Sequence, residues 1–134
     1  MANAAERFIQ SLADPLLDGD FETTLAAYET PVVLIRPHED KRVFEREEFI
    51  EEMRVVRQAH LDRGLVAIRA SQLSTRSYAP GLLMVDVCWH YLDARVRDLG
   101  RLYATYILRP RGDEDFRISV HISHNEIYER QRAA

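Results

Sequence analysis

Cysteine is almost missing from this 134-residue chain: Cys88 stands alone, so no disulfide can close within it, and a reducing compartment is the expectation. Glycine and proline are scarce as well, five of each, and no Gly/Pro/Ser-rich linker or internal repeat divides the sequence, which reads as one domain over 1–134. No stretch approaches the roughly 20 apolar residues of a membrane span. The opening MANAAERFIQSLAD has neither the basic lead nor the apolar block of a secretion signal. A cytoplasmic protein with no membrane partner is therefore expected. Basic charge is not in excess: 18 Lys and Arg stand against 22 Asp and Glu, for a net charge of −4. The arginines are scattered among acids, which argues against a nucleic-acid partner.

What is present suits a folded domain. Hydrophobic residues make up 46% and charged residues 30%, enough for one real core. Phe8, Ile9 and Leu12 share a helical face, and Asp14-Pro15 ends or restarts that helix because proline fits a first turn and not an interior. Asp20 can cap a second helix, FETTLAAY. TPVVLIRP, β-branched and bounded by Pro31 and Pro37, reads as a strand, and KRVF as a short one after the HEDK turn. From Arg46 to about Arg63 the period changes: Phe49, Met53, Val56 and His60 recur at helical steps, and Gly64 supplies the stop. Four strand-like segments follow, LVAIRASQLSTRSY, LLMVDVCWHYLD, RLYATYILRP and FRISVHISHNEIY, with connections short enough for an antiparallel meander. This order predicts an α+β layer fold, helices on one side of a curved sheet.

Side chains alternate across a strand, so parity sorts these segments into faces. Leu83, Val85, Val87, Trp89 and Tyr91 share one face with Leu102, Ala104, Tyr106 and Leu108, and with Phe116, Ile118, Val120, Ile122 and His124. That set is apolar and should meet the helices. Met84, Asp86, Cys88 and His90 share the other with Tyr103, Thr105, Ile107, Arg117, Ser119, His121 and Ser123. A face this mixed, with Tyr103 and Ile107 on it, suggests a homodimer packed through the sheet, its contacts drawn from Asp86, Cys88, His90, Tyr103 and His121.

GDFETTLAAYETPVVLIRP at 19–37, the strand around Val87-Cys88-Trp89, and YATYILRP followed by DFRISVHISHNE together resemble the NTF2-like superfamily, in particular its SnoaL-like proteins. The resemblance spans essentially the whole chain. It implies an NTF2-like cone, a curved, mostly antiparallel sheet wrapped around three helices from the first half of the chain. Ketosteroid isomerase shares this fold, and the resemblance would set its general-base aspartate at Arg36, before Pro37. Its oxyanion tyrosine would fall near Phe8 or Leu12. Arginine stays protonated and neither Phe nor Leu carries a hydroxyl, so steroid isomerisation is disfavoured.

Two histidines in the closing strand invite a metal site, but His121 and His124 differ by an odd number and point to opposite faces of a regular strand, so no metal is expected. No cofactor motif is present either. His124, Trp89, Tyr91 and Tyr106 are expected to line the mouth of the cone, where His124 is either a candidate base or a core-edge histidine. Arg36 either holds an anionic ligand there or pairs with Glu39 or Asp40. Asp86, His90 and His121 offer a carboxylate–imidazole arrangement that serves the interface or catalysis. Two functions stay open: a homodimer that binds a small apolar or weakly acidic molecule, and an isomerase, cyclase, dehydratase or epoxide hydrolase using His124 or a pocket carboxylate as base.

Overall fold

Helix starts are set locally by short polar side chains. Asn3 accepts from the Glu6 amide and opens α1 (Ala4–Gln10), and Asp20 accepts from the Thr23 amide to open α3 (Phe21–Ala26). Between them lies α2 (Ala13–Asp18), which carries Pro15 in its first turn and ends at Gly19, whose φ of 77° suits a left-handed cap. The first expected helix is thus two short ones that restart before Pro15. A reciprocal cap between Glu45 and Glu48 begins α4 (Arg46–Asp62), the longest helix. The strands are β1 (Val32–Ile35), β2 (Arg42–Phe44), β3 (Ala67–Ala79), β4 (Leu82–Leu92), β5 (Asp98–Pro110) and β6 (Phe116–Ser123). This computed structural model describes residues 2–126. Ile127 and Tyr128 of the last expected strand, and the outer ends of the 1–134 domain, lie outside the described residues.

The six strands form one sheet in the order β2-β1-β6-β5-β4-β3. Neighbours are antiparallel except β1 and β6, which run parallel. The meander of four long strands is as the sequence predicts. Ile9 of α1 and Leu12, just before α2, share a buried cluster with Val85, Val87, Leu108 and Ile118 of the inner sheet face. A second cluster joins Leu25, Val32, Leu34, Phe44, Phe49 and Met53, from α3, β1, β2 and α4. Among the described residues no helix is long and apolar enough to cross a membrane.

One irregularity decides the site. On β5 and β6, Leu108 pairs with Ile118 but Ile107 pairs with Val120, so Ser119 is an extra residue in the ladder. Such a bulge reverses the alternation beyond it. It is pinned from a distance. The Ile118 amide donates to Ala27 O and the Glu29 amide donates to Ile118 O, both at 2.8 Å, while the Ser119 hydroxyl donates to the Glu29 carboxylate at 2.6 Å. Val120 and Ile122 therefore point outward and His121 and Ser123 inward, contrary to strict parity.

Candidate functional site

The two core clusters do not meet throughout. Between the sheet and α4 lies a hollow of about 1550 Å³ whose lining includes Leu34, Phe49, Met53, Trp89, Tyr91 and Tyr106. Exposed His38 and Glu39 mark its mouth, with half-buried Arg36 beside them. Several polar groups on the wall are engaged with one another. The Trp89 indole N–H donates to the Tyr106 hydroxyl at 2.9 Å. Arg36 donates to Glu52 at 2.7 Å and lies 3.8 Å from Glu39. Apolar walls with a small polar set are the usual form of a small-molecule site.

Tyr28 and His121 form a half-buried polar pair on the wall. The Tyr28 hydroxyl lies 3.1 Å from His121 Nδ1, and the His121 ring packs on Tyr106 at 4.5 Å between centroids. Burial, reinforced by the charge of Arg36, pushes His121 down to about 3. His60, on α4, stacks on Tyr91 at 4.7 Å. Burial first and Arg63 second push it down to about 4. Burial drives the Tyr28 and Tyr106 hydroxyls well above the usual phenol range. At neutral pH all four side chains are uncharged, so the inner wall offers hydrogen bonds and aromatic faces without formal charge.

Arg36, Trp89, Tyr91 and Tyr106 sit on the lining of the hollow, where the sequence reading puts them. His124 does not. It borders the rim, but its Nε2 is turned onto the Thr105 hydroxyl at 2.6 Å, on the outer face, because the Ser119 bulge carries it there. That hydroxyl in turn donates to Asp86 at 2.5 Å, and Arg76 donates to the same carboxylate at 3.0 Å. His121, expected on the dimer face, lies inside for the same reason. The proposed joining of Asp86, His90 and His121 is accordingly absent. His90 instead meets Ser71 through Nε2 at 2.6 Å and Asp98 through Nδ1 at 3.3 Å, and neither Ser71 nor His90 lines the hollow. Asp98 is held in the carboxylate form chiefly by Arg101.

Cys88, also expected on the dimer face, is fully buried within the single chain, flanked across the ladder by Ser71 and Tyr103. A thiol with no exposed surface cannot make an interface contact. Tyr103 remains 41% exposed on the outer face. Among the described residues no three His, Cys, Asp or Glu side chains are grouped to hold a metal ion. Sequence reasoning missed Tyr28, Glu52 and His121 as wall residues. The helical period that set Phe49, Met53, Val56 and His60 inward extends to Glu52, three positions after Phe49; nothing local marks the bulge.

A curved sheet folded over helices with a hollow between them defines a cone-shaped α+β domain of the cystatin-like kind. The chain belongs to the family described as NTF2-like protein (DUF6841), whose pattern matches residues 3–126. Solved structures agree on the fold. A protein of unknown function with a cystatin-like fold from Nostoc punctiforme is similar over 87% of this chain and 84% of its own, with a TM-score of 0.64 and 12% identity. A ketosteroid isomerase-like protein from Erwinia carotovora atroseptica is similar over 90% and 88%, with a TM-score of 0.60 and 13% identity. A Catenulispora acidiphila protein in complex with S-DNPA is similar over 89% and 90%, with a TM-score of 0.66 and 13% identity. Likeness at such identities shows the fold alone. No curated protein matches the chain.

Proposed function

We propose that this chain is a homodimer that holds a small apolar or weakly acidic molecule in its cone. The observation that carries the binding reading is the hollow itself, about 1550 Å³ walled by Trp89, Tyr91, Tyr106, Phe49 and Met53. Apolar surface left open on this scale is costly unless a guest covers it. The Catenulispora acidiphila relative, in complex with S-DNPA, lends support from the same fold. Because Trp89 is the single tryptophan and stands in the wall, its emission reports on occupancy. Isothermal titration with 2-naphthol is expected to saturate at one molecule per chain, with Trp89 emission changing in step. Heat without saturation, or saturation with unaltered emission, would place the guest elsewhere and sink the reading.

The homodimer rests on the outer sheet face. Tyr103 is exposed there, and the bulge adds half-buried Val120 and Ile122 to it. Sedimentation at micromolar concentration is expected to show a dimer, and Tyr103→Arg to shift it toward monomer. A wild-type protein that stays monomeric would refute the dimer while leaving the hollow untouched.

An enzymatic reading, as isomerase, cyclase, dehydratase or epoxide hydrolase, has one observation in its favour: the Glu52 carboxylate lies on the wall. It is already engaged by Arg36 at 2.7 Å near a mouth that water reaches, whereas proton abstraction calls for a dry base. Binding is the better-supported reading.

A further inference from the structure

The uncommitted polar groups of the hollow narrow the guest, on the footing of the binding reading above. Two of them are hydroxyls, on Tyr28 and Ser123, both half-buried residues of the lining. Ser123 stands two positions beyond His121 on the inward face of β6. Among the described residues its hydroxyl makes no hydrogen bond, yet the sole buried side-chain nitrogen or oxygen without a partner is His121 Nε2, so the Ser123 oxygen is open. The Tyr28 hydroxyl has one partner, His121 Nδ1 at 3.1 Å, which leaves it capacity to spare in either state of the ring. With a hydrogen on Nδ1, Tyr28 accepts from it and offers its own hydrogen; with Nδ1 bare, Tyr28 gives that hydrogen and keeps lone pairs.

The rest of the lining says which guest group answers both. Three carboxylates, Glu39, Glu52 and Glu126, stand there against one guanidinium, Arg36, which already donates to Glu52 at 2.7 Å and lies 3.8 Å from Glu39. A guest carboxylate would meet like charge and would enter an apolar chamber at a large desolvation penalty. A ketone or ether oxygen can accept from Ser123 but brings no hydrogen to a wall rich in acceptors. An ammonium group only donates, and leaves the hydroxyl hydrogens without an acceptor. A hydroxyl does both through one atom and without charge, and on an aromatic ring it is the stronger donor. We propose that the guest is a phenol: its hydroxyl pairs with those of Tyr28 and Ser123, and its ring lies in the apolar space between the sheet and α4.

Four probes built on one ring system test this at pH 7, where a phenol keeps its proton: 2-naphthol, 2-methoxynaphthalene, 2-methylnaphthalene and 2-naphthoate. With the wild-type protein 2-naphthol is expected to bind about tenfold more tightly than 2-methylnaphthalene, the gain from one neutral hydrogen bond. It is also expected to outbind the methyl ether, which accepts but cannot donate, and the carboxylate. In the Tyr28→Phe/Ser123→Ala double variant the ratio of naphthol to hydrocarbon is expected to fall to near one. The wild-type ratios decide the matter whether or not that variant folds. Ether or hydrocarbon binding as tightly as naphthol, naphthoate binding more tightly, or a ratio unchanged in the double variant would each overturn the phenol assignment and leave the hollow as a binding site. Failure of all four probes to bind would overturn both.

Discussion

Between pH 7 and pH 4 the protein is expected to lose on the order of 3 kcal/mol of folding stability for each of His60 and His121. Both rings are held neutral in the fold, pushed down to about 4 and about 3, whereas in the unfolded chain each takes its proton near the ordinary value of 6.5. In that window the unfolded state binds more protons than the folded state, so stability falls as pH falls. The contribution is undiminished above pH 6.5 and is progressively lost below it. Two losses of this size rival the whole stability of an ordinary domain, which sets acid unfolding near pH 4. Carboxylates also contribute. Asp98, held down by Arg101, and Glu29, held down first by Ser119, favour the fold while ionised, but their stabilisation fades only as pH falls below the ordinary carboxylate range. The interval from pH 6.5 to 5 therefore belongs to the histidines. Urea unfolding at half-unit steps should give a slope there that flattens in a His60→Phe/His121→Phe double variant. A slope that persists in the double variant would mean the rings are hydrated in the fold.

Truncating Ile118 to Ala is expected to cost about 3 kcal/mol, the ordinary range for a large core aliphatic, whereas Ile122→Ala should cost about 1. Ile118 is 1% exposed and packs in the inner cluster, and its backbone is bonded to both Ala27 and Glu29. Ile122, four residues on, shares its parity but lies beyond the bulge, half-buried on the outer face. Strict alternation would make the two equivalent. Urea midpoints compared at constant slope decide the matter. Equal costs would return His124 to the interior and expel His121.

The inward side of β4 and β5 was legible because those strands pair register for register over long stretches, so Trp89, Tyr91 and Tyr106 fall where alternation puts them. The inward face of α4 was legible for a similar reason: a capped helix of 17 residues keeps its period, and Phe49, Met53 and His60 are buried in turn. Arg36 was placed at the mouth, with its partner misjudged in part, since Glu52 is a tertiary neighbour 16 positions away and not the adjacent acid alone. Cys88 was misread as an interface thiol because parity reports which face a side chain takes, not whether its own strand neighbours already bury it.

Local chemistry thus determined the elements, their order and the family: caps at Asn3 and Asp20, the restart at Pro15, the helical period after Arg46 and the four long strands are all set by near neighbours. Only the tertiary structure decided which histidine enters the cone. A bulge is one residue of slack, and its position at Ser119 is held by bonds to Ala27 and Glu29, some 90 positions earlier in the chain. Because side chains alternate with a period of two, that single residue exchanges the faces of everything after it, which puts His121 beside Tyr28 and His124 against Thr105.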